Sequence, residues 1–525
     1  MNQDWWKEAV IYQIYPRSFK DSNADGIGDL RGIISRLDYL KNLGVDVLWL
    51  SPCFASPNVD NGYDVSDYEA IMPEFGTMAD FDALLAATHE RGLKLILDLV
   101  VNHSSDQHRW FQESRKSKDN PYRDYYIWQP ARNAAPPNDW ISFFSGPAWT
   151  LDPQTGDYYL HLFAKQQPDL NWENPALRQE IYQMMRFWLD KGVDGFRMDV
   201  IPFLSKDTTF ANYPEGRFGD LTYYANGPRI HEFLQEMNHE VLRHYNCLTV
   251  GEGFGVRAEA ANLYVGKDRR ELQMIYHFDH AVPREEARFL APAPEFSLVQ
   301  LRDIFNRWNN ALGNDGWQNI YFGNHDNPRV LSRFGNVESY RYESATMLAT
   351  VLLTQRGTPS VYQGDELGMC NEVFEKIEQL TDVQVKNAYQ NLEVAQKGLS
   401  EQFLAACNRI ARDHARTPIA WQNAPNGIYD YYRQLIQLRK NNGALMHGNC
   451  TDLNPTDNAI WAYTRQFDND KCLIICNFTD KNQLFDLPAD SNIEKSIWLM
   501  GNYAPVGIRQ KMQLKPYETL VYRLF

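Results

Sequence analysis

The sequence predicts an α/β protein: a closed (β/α)8 barrel with a domain inserted after its third strand and a C-terminal antiparallel β-sandwich. Three observations lead there. Eight strand-like apolar runs alternate with helical runs over most of the 525 residues, and such alternation implies βαβ units in a parallel sheet. Eight units imply closure, whereas an open doubly wound sheet calls for a GxGxxG turn after its first strand. The first turn here reads DSNADGIGD. After residue 443 the helical runs stop and the pattern becomes all-β.

The first strand is read at 9–15 (AVIYQIY), with a helix at 30–43. The second strand, 45–52 (VDVLWLSP), leads to a helix at 78–92, and the third runs over 93–103 (LKLILDLVVNH). Residues 104–172 are rich in Tyr, Trp, Pro and Asn. A loop beyond about 15 residues is functional or a small subdomain more often than not, so this is read as the inserted B domain. The rhythm resumes with helix 174–192, strand 193–200, helix 227–245 and strand 247–253. Strands at 273–280, 317–326 and 360–369 complete the eight, separated or closed by helices at 297–312, 338–356 and 427–442. A second, partly helical excursion spans 370–426. From 446 the runs AIWAYTRQF, KCLIICNFT, SIWLMG and ETLVYRLF read as sandwich strands. The predicted domains are therefore 1–103 with 173–445 (barrel, domain A), 104–172 (B) and 446–525 (C-terminal).

A net charge of −15 argues against nucleic acid and anionic membrane as partners, since both would be repelled. No run approaches the roughly 20 apolar residues of a membrane helix, and the start MNQDWWKEAV has neither the basic nor the apolar region of a signal peptide. Seven scattered cysteines without a CxxC pair fit free thiols in a reducing cytoplasm. The expected state is a cytoplasmic monomer or weak homo-oligomer. Fourteen Trp and 29 Tyr supply either core or flat platforms for sugar rings.

In a barrel of this kind the C-terminal strand ends face the active site. Strand three ends in Asp98, Asn102 and His103, and strand four, in VDGFRMDV, ends in Arg197 and Asp199 on one face. Strand five ends in Glu252 and strand seven in His325 and Asp326. Carboxylates, an arginine and two histidines thus converge from four strands. Glycosidic hydrolysis needs one carboxylate nucleophile and one carboxylic acid. A metal hydrolase needs ligand spacing such as HxH or HExxH, and neither occurs.

DLVVNH, GFRMDV, the TVGEGF segment and GNHD, with QPDLNW at 167–172, resemble in order the signature regions of the α-amylase family, glycoside hydrolase family 13. The likeness begins at WWKEAVIYQIYPRSF and runs through nearly the whole chain. GYDVSDY, QPDLNW and RDHARTP resemble the branch of oligo-1,6-glucosidase, dextran glucosidase, α-glucosidase and sucrose isomerase. The resemblance implies a TIM barrel and these roles. Asp199 is the nucleophile, kept ionised and aimed by Arg197, because an adjacent cation lowers a carboxylate's pKa. Glu252 is the acid/base, with a raised pKa for the acid step. Asp326 is the transition-state stabiliser. His103 and His325 bind hydroxyls of the −1 glucose, Tyr63 stacks on it, and Phe144 and Phe163 line the pocket. Asp60 and Arg412 clamp the far hydroxyls, which restricts action to the non-reducing end.

The stretch 21–29 sets oxygen donors at alternate positions: Asp21, Asn23, Asp25, the Ile27 carbonyl and Asp29. It is no EF-hand, because the twelfth position is Gly32 rather than Glu. The resemblance implies a structural Ca²⁺ there, or Mg²⁺ in its place, and no organic cofactor.

Val200 after the nucleophile goes in this branch with α-1,6 linkages; the competing explanation is that Val merely suits a barrel strand. The implied activity is a retaining exo-α-glucosidase acting on short isomalto-oligosaccharides. An α-1,4-glucosidase, a sucrose hydrolase or isomerase, and a transglucosylase are the alternatives. Gly253–Phe254 in place of a Met-containing turn, Pro202, and the short segment after RDHARTPIAW depart from the branch pattern on the leaving-group side. No RLDRD-like run occurs in 281–296, which argues against isomerisation. A non-catalytic amylase-like interaction subunit would have lost catalytic carboxylates and carried a membrane helix; this chain keeps the former and lacks the latter.

Overall fold

The computed structural model describes residues 4–215, 219–283, 286–292, 295–424, 426–488, 493 and 495–525. Residues 1–3 of the amino-terminal reading, and 284–285 and 293–294 of the 281–296 segment, lie outside these.

Eight short parallel strands form the barrel: β1 (Ile11–Ile14), β2 (Val47–Leu50), β3 (Lys94–Leu99), β4 (Gly195–Met198), β5 (Leu248–Glu252), β6 (Met274–Tyr276), β7 (Asn319–Ile320) and β8 (Thr358–Tyr362). They pair in the order β6-β5-β4-β3-β2-β1-β8-β7, and a parallel bridge between Ile275 and Gln318 joins the two ends into a ring. Nearly every strand residue is buried. That is why the strands read as continuous apolar runs: parallel strands covered on both faces have no polar side.

The helices begin and end where local chemistry dictates. Helix Pro175–Lys191 is capped by the Asn174 side chain accepting from Ala176 N–H, has Pro at its first turn, and stops at Gly192 with φ +108°, a left-handed stop that glycine takes without cost. The chain then enters β4. Gly195 is tighter still: a Cβ there would lie 2.0 Å from the Leu248 carbonyl.

The predicted strands are longer than those found. Residues 317–326 contain only β7, 93–103 only β3, 193–200 only β4, and the eighth starts at Thr358 and ends at Tyr362 rather than spanning 360–369. Apolar character continues past the last ladder bond, because the chain there turns over the buried end of the barrel and aims polar side chains inward. The helix read at 30–43 is two, Leu30–Ile34 and Leu37–Leu43, separated by Ser35 and Arg36. The one read at 227–245 is Ile230–Glu240 followed by a 3-10 turn, Leu242–His244.

The 104–172 insertion carries a three-stranded antiparallel sheet (Trp128–Pro130, Asp157–Leu160 and Trp149–Leu151, in that order). An aromatic core that includes Trp140, Phe144, Phe163 and Phe203 ties it to the loop after β4. The 370–426 excursion holds helices Val383–Asn391 and Ser400–Ile410 around Val385, Phe403 and Cys407. At the C-terminus, a five-stranded antiparallel sheet faces a two-stranded one, Gln483–Asp486 with Lys511–Leu514, across a core of Leu473, Ile475, Phe485, Leu514 and Tyr522.

Candidate active site

Arg197 organises the site. Its side chain is 1 % exposed, at the end of β4, opposite Asp98 in the β3 ladder. Nη1 donates to Asp98 Oδ1 and to Asp199 Oδ1 (2.7 Å for the latter), and Nη2 donates to Glu252 Oε2 at 2.6 Å. Nε and Nη2 also reach the Tyr276 hydroxyl at 2.9 and 2.7 Å. One guanidinium, with five donors in a rigid fork, thus bonds three carboxylates from β3, the turn after β4, and β5.

Burial pushes Asp199 above the ordinary carboxylate range; Arg197 opposes that, Asp98 adds to it, and a hydrogen bond with Glu252 offsets part of it. The expected depression by Arg197 is therefore corrected. The cation counters desolvation without overturning it, since taking a carboxylate out of water favours its neutral form. Glu252 Oε2 accepts from Arg197 and from the Val200 backbone N–H (2.8 Å).

Val200 lies past the end of β4 with φ +33° and ψ +44°, a left-handed conformation that β-branched residues rarely adopt. Strand preference therefore cannot explain a valine here. Gly253, after the acid, packs where a Cβ would meet Ile275 and the Tyr276 carbonyl at 2.8 Å, so no larger residue fits this turn as built.

Both histidines are neutral. Burial, with Lys206 adding to it, pulls His103 down to about 3, and burial holds His325 well below its ordinary value. Gln13 Nε2 lies 2.8 Å from His325 Nδ1, and His325 Nε2 lies 2.6 Å from the Tyr63 hydroxyl, which donates to Asp98 Oδ2 at 3.1 Å. With Gln13 donating, the imidazole proton sits on Nε2. His103 is held by the Asn102 amide at 3.1 Å and Gln167 at 3.2 Å.

Arg412 Nη2 lies 3.4 Å from Asp60 Oδ1, and Nη1 donates to Asp326 Oδ1 at 2.9 Å. Burial pushes Asp60 up to about 7 against the pull of Arg412 and Arg416.

Asp60, Tyr63, His103, Phe144, Phe163, Asp199, Val200, Glu252, His325, Asp326 and Arg412 line one pocket, with Arg197 beneath it. Larger clefts lie elsewhere, ≈ 280 Å³ beside Trp128 and Phe210 and ≈ 500 Å³ beside Tyr342 and Ile428. Neither gathers converging acids. Sequence reasoning missed Asp382, Arg416, Gln13, Tyr276 and Phe278. Arg416 lies inside the quoted RDHARTP, four residues after Arg412, and helical spacing was the available signal. Phe278 stands edge-on to Phe254 at 5.2 Å, and Phe254 edge-on to Phe143 at 5.4 Å, an aromatic wall beside the acid.

The donors at 21–29 share one turn, mostly exposed. Asp21 accepts from the N–H groups of Asn23, Ala24 and Gly26, Asp25 from Ile27, and Asp29 from Ser22 and Gly32. Hard oxygens suit Ca²⁺ or Mg²⁺. Among the described residues, however, no three His, Cys, Asp or Glu side chains are gathered as a metal would gather them.

Residues 13–427 match the alpha-amylase catalytic domain. The chain belongs to the alpha-amylase family. Residues 460–521 of this family member match the C-terminal domain of the alpha-amylase SusG. It is 49 % identical to an oligo-1,6-glucosidase of Halalkalibacterium halodurans, over 99 % of each chain. The trehalulose synthase of Pseudomonas mesoacidophila superposes with a TM-score of 0.95 at 41 % identity, over 99 % of each chain. An isomaltulose synthase variant of Erwinia rhapontici, in complex with its natural substrate sucrose, gives 0.94 at 41 % over the same share. The alpha-amylase-family chain is accordingly a glycoside hydrolase. No helix among the described residues is long and apolar enough to cross a membrane.

Proposed function

We propose that this enzyme is a retaining, exo-acting α-glucosidase that releases glucose from the non-reducing end of short α-1,6-linked isomalto-oligosaccharides. The observation that carries the reading is the pocket closed by Arg412 and Asp60 over Asp199, Glu252 and Asp326. A site with one blocked end admits a terminal glucosyl unit and no chain running through it. Asp199 attacks C1 and Glu252 protonates the leaving oxygen. The Asp199–glucosyl ester is then hydrolysed by water that Glu252, now a base, deprotonates. Asp199 and Glu252 are close enough to hydrogen-bond, which supports retention, since inversion needs room for a water between acid and base at roughly 6.5–9.5 Å. Neutral His103 and His325 line the pocket and serve as hydroxyl partners by exchanging their bonds to Gln167 and Tyr63 for the sugar, and Asp326, held by Arg412, stabilises positive charge developing on the ring.

The α-1,6 preference is supported by the oligo-1,6-glucosidase relative. A second reading, sucrose hydrolysis or isomerisation, is favoured by the likeness to the sucrose-bound isomaltulose synthase. We also propose a structural cation at 21–29, supported by donor chemistry alone, and action in the cytoplasm as a monomer or weak homo-oligomer, supported by seven unpaired cysteines. The test is a product assay on isomaltose, isomaltotriose, maltose and sucrose. Glucose from the first two with little from the others is expected. Preferential cleavage of sucrose, or trehalulose and isomaltulose as products, overturns the linkage assignment.

A further inference from the structure

The excursion between β8 and the last barrel helix supplies a carboxylate that the steps above do not use. Asp382 precedes helix Val383–Asn391 and is 1 % exposed. Its Oδ1 accepts from Gln384 N–H at 2.9 Å and Val385 N–H at 3.4 Å, which caps the helix. Its Oδ2 accepts from Arg412 Nε and Arg416 Nη1, each at 2.8 Å, with Arg412 Nη2 at 2.6 Å. Burial raises this carboxyl, but the two guanidiniums outweigh it and hold it below the ordinary range.

Arg412 is the cation of the Asp60–Arg412 clamp, and Arg416 stands beside it. They sit four residues apart on the 3-10 turn Arg412–Arg416, and both reach Asp326 Oδ1, at 2.9 and 3.2 Å. Two buried guanidiniums so close repel each other unless anions lie between them. Asp326 lines the pocket, so on the exo-glucosidase reading it exchanges contacts with the sugar during turnover. Asp382 is not among the residues lining the pocket and is the fixed counter-charge. The same helix also reaches the inserted domain: Asn387 Nδ2 donates to the Phe144 carbonyl at 2.8 Å and Gln384 Nε2 to that of Phe143 at 3.3 Å. One helix start therefore braces two walls of the glucosyl pocket.

We infer that Asp382 is the positioning residue that sets recognition of the terminal sugar's far hydroxyls, by fixing Arg412 and Arg416 against Asp60 and Asp326 and docking the 370–426 excursion onto the pocket. This rests on the exo-α-glucosidase reading and deepens it.

The experiment compares p-nitrophenyl α-D-glucoside with its 4-deoxy analogue on wild type, Asp382→Asn and Asp382→Glu, with Tm measured for each. Asn keeps a capping oxygen and removes the charge; Glu keeps the charge and displaces it. Wild type is expected to favour the glucoside over the analogue by at least about 100-fold in kcat/KM, because a site built around a hydroxyl strongly rejects the substrate lacking it. In Asp382→Asn the ratio is expected to fall below about 10-fold, with KM for the glucoside rising more than kcat falls. Asp382→Glu is expected to fall between. An unchanged ratio in Asp382→Asn, however slow or unstable the variant, overturns the inference and leaves Asp382 a merely structural residue. If Asp382→Asn does not fold, the ratio in Asp382→Glu decides in the same way. A wild type that cleaves the glucoside but shows no preference overturns the clamp, and with it this assignment. A wild type that cleaves neither compound, and no other α-glucoside, overturns the glucosidase reading itself.

Discussion

At the scale of single residues, charge placement and desolvation decide function. Asp199→Asn replaces the nucleophilic carboxylate by a poorly nucleophilic amide, and a turnover loss of about 10³-fold or more is expected from stopped assays on isomaltose; retention of near-full kcat means another residue attacks. Burial pushes the Asp60 carboxyl up to about 7. Because burial raises it, lowering the pH through 7 adds a proton, cancels its pairing with Arg412 and removes a hydroxyl acceptor. The kcat/KM profile should therefore fall on the acid side of about pH 7, with protonation of the nucleophile Asp199, which burial raises to about 6, adding to the fall, and Asp60→Asn should have lower activity whose acid limb starts nearer pH 6. A wild-type profile level down to pH 5 contradicts this. No limb is expected from His103 or His325, since both stay neutral across that range. Val200 is strained and touches the pocket. Val200→Ala should lower the isomaltose-to-maltose ratio several-fold, and an unmoved ratio removes this residue from the account of linkage.

At the scale of elements, the barrel positions its chemistry just beyond the ladder. That is why the strand ends were the legible part of the sequence and the strand lengths were not. GFRMDV exposed Arg197 and Asp199 as neighbours, since period-two alternation forces them to one face. Nothing local in the sequence says that Val200 turns left-handed; the carboxyl that its N–H bonds, Glu252, lies 52 residues away. Asp382 was illegible for a different reason: it acts through charge contacts 30 and 34 residues away, and a lone Asp before a helix reads as an ordinary cap. Elements also explain stability. Arg439 is fully buried in helix Gly427–Lys440 and donates to the carbonyls of Leu353, Gln355, Gly357 and Leu445. It therefore satisfies the C-terminal end of helix Arg341–Thr354 and the start of β8 together. Arg439→Met should cost about 3 kcal/mol, because it leaves several buried carbonyls without donors, with kcat of the folded fraction unchanged. Urea titration measures it, and a loss under 1 kcal/mol contradicts the role.

At the scale of the molecule, one pocket depends on three parts of the chain. The barrel supplies Asp199, Glu252 and Asp326, the insertion supplies Phe144 and Phe163, and the 370–426 excursion supplies Arg412 with its counter-charge. The turn at 21–29 contributes no residue to the pocket lining and enters no step. If it takes a cation, EDTA should lower Tm and Ca²⁺ restore it, by linkage of binding to folding; an unchanged Tm for metal-stripped protein makes the turn a plain loop. The central claim, a blind pocket working by double displacement, is tested most directly by following isomaltotriose by proton NMR from the first seconds of reaction. The account predicts α-glucose and isomaltose as first products, with β-glucose appearing only as mutarotation proceeds. β-Glucose released first contradicts retention, and isomaltotriose left uncleaved while longer chains are cut internally contradicts the closed pocket.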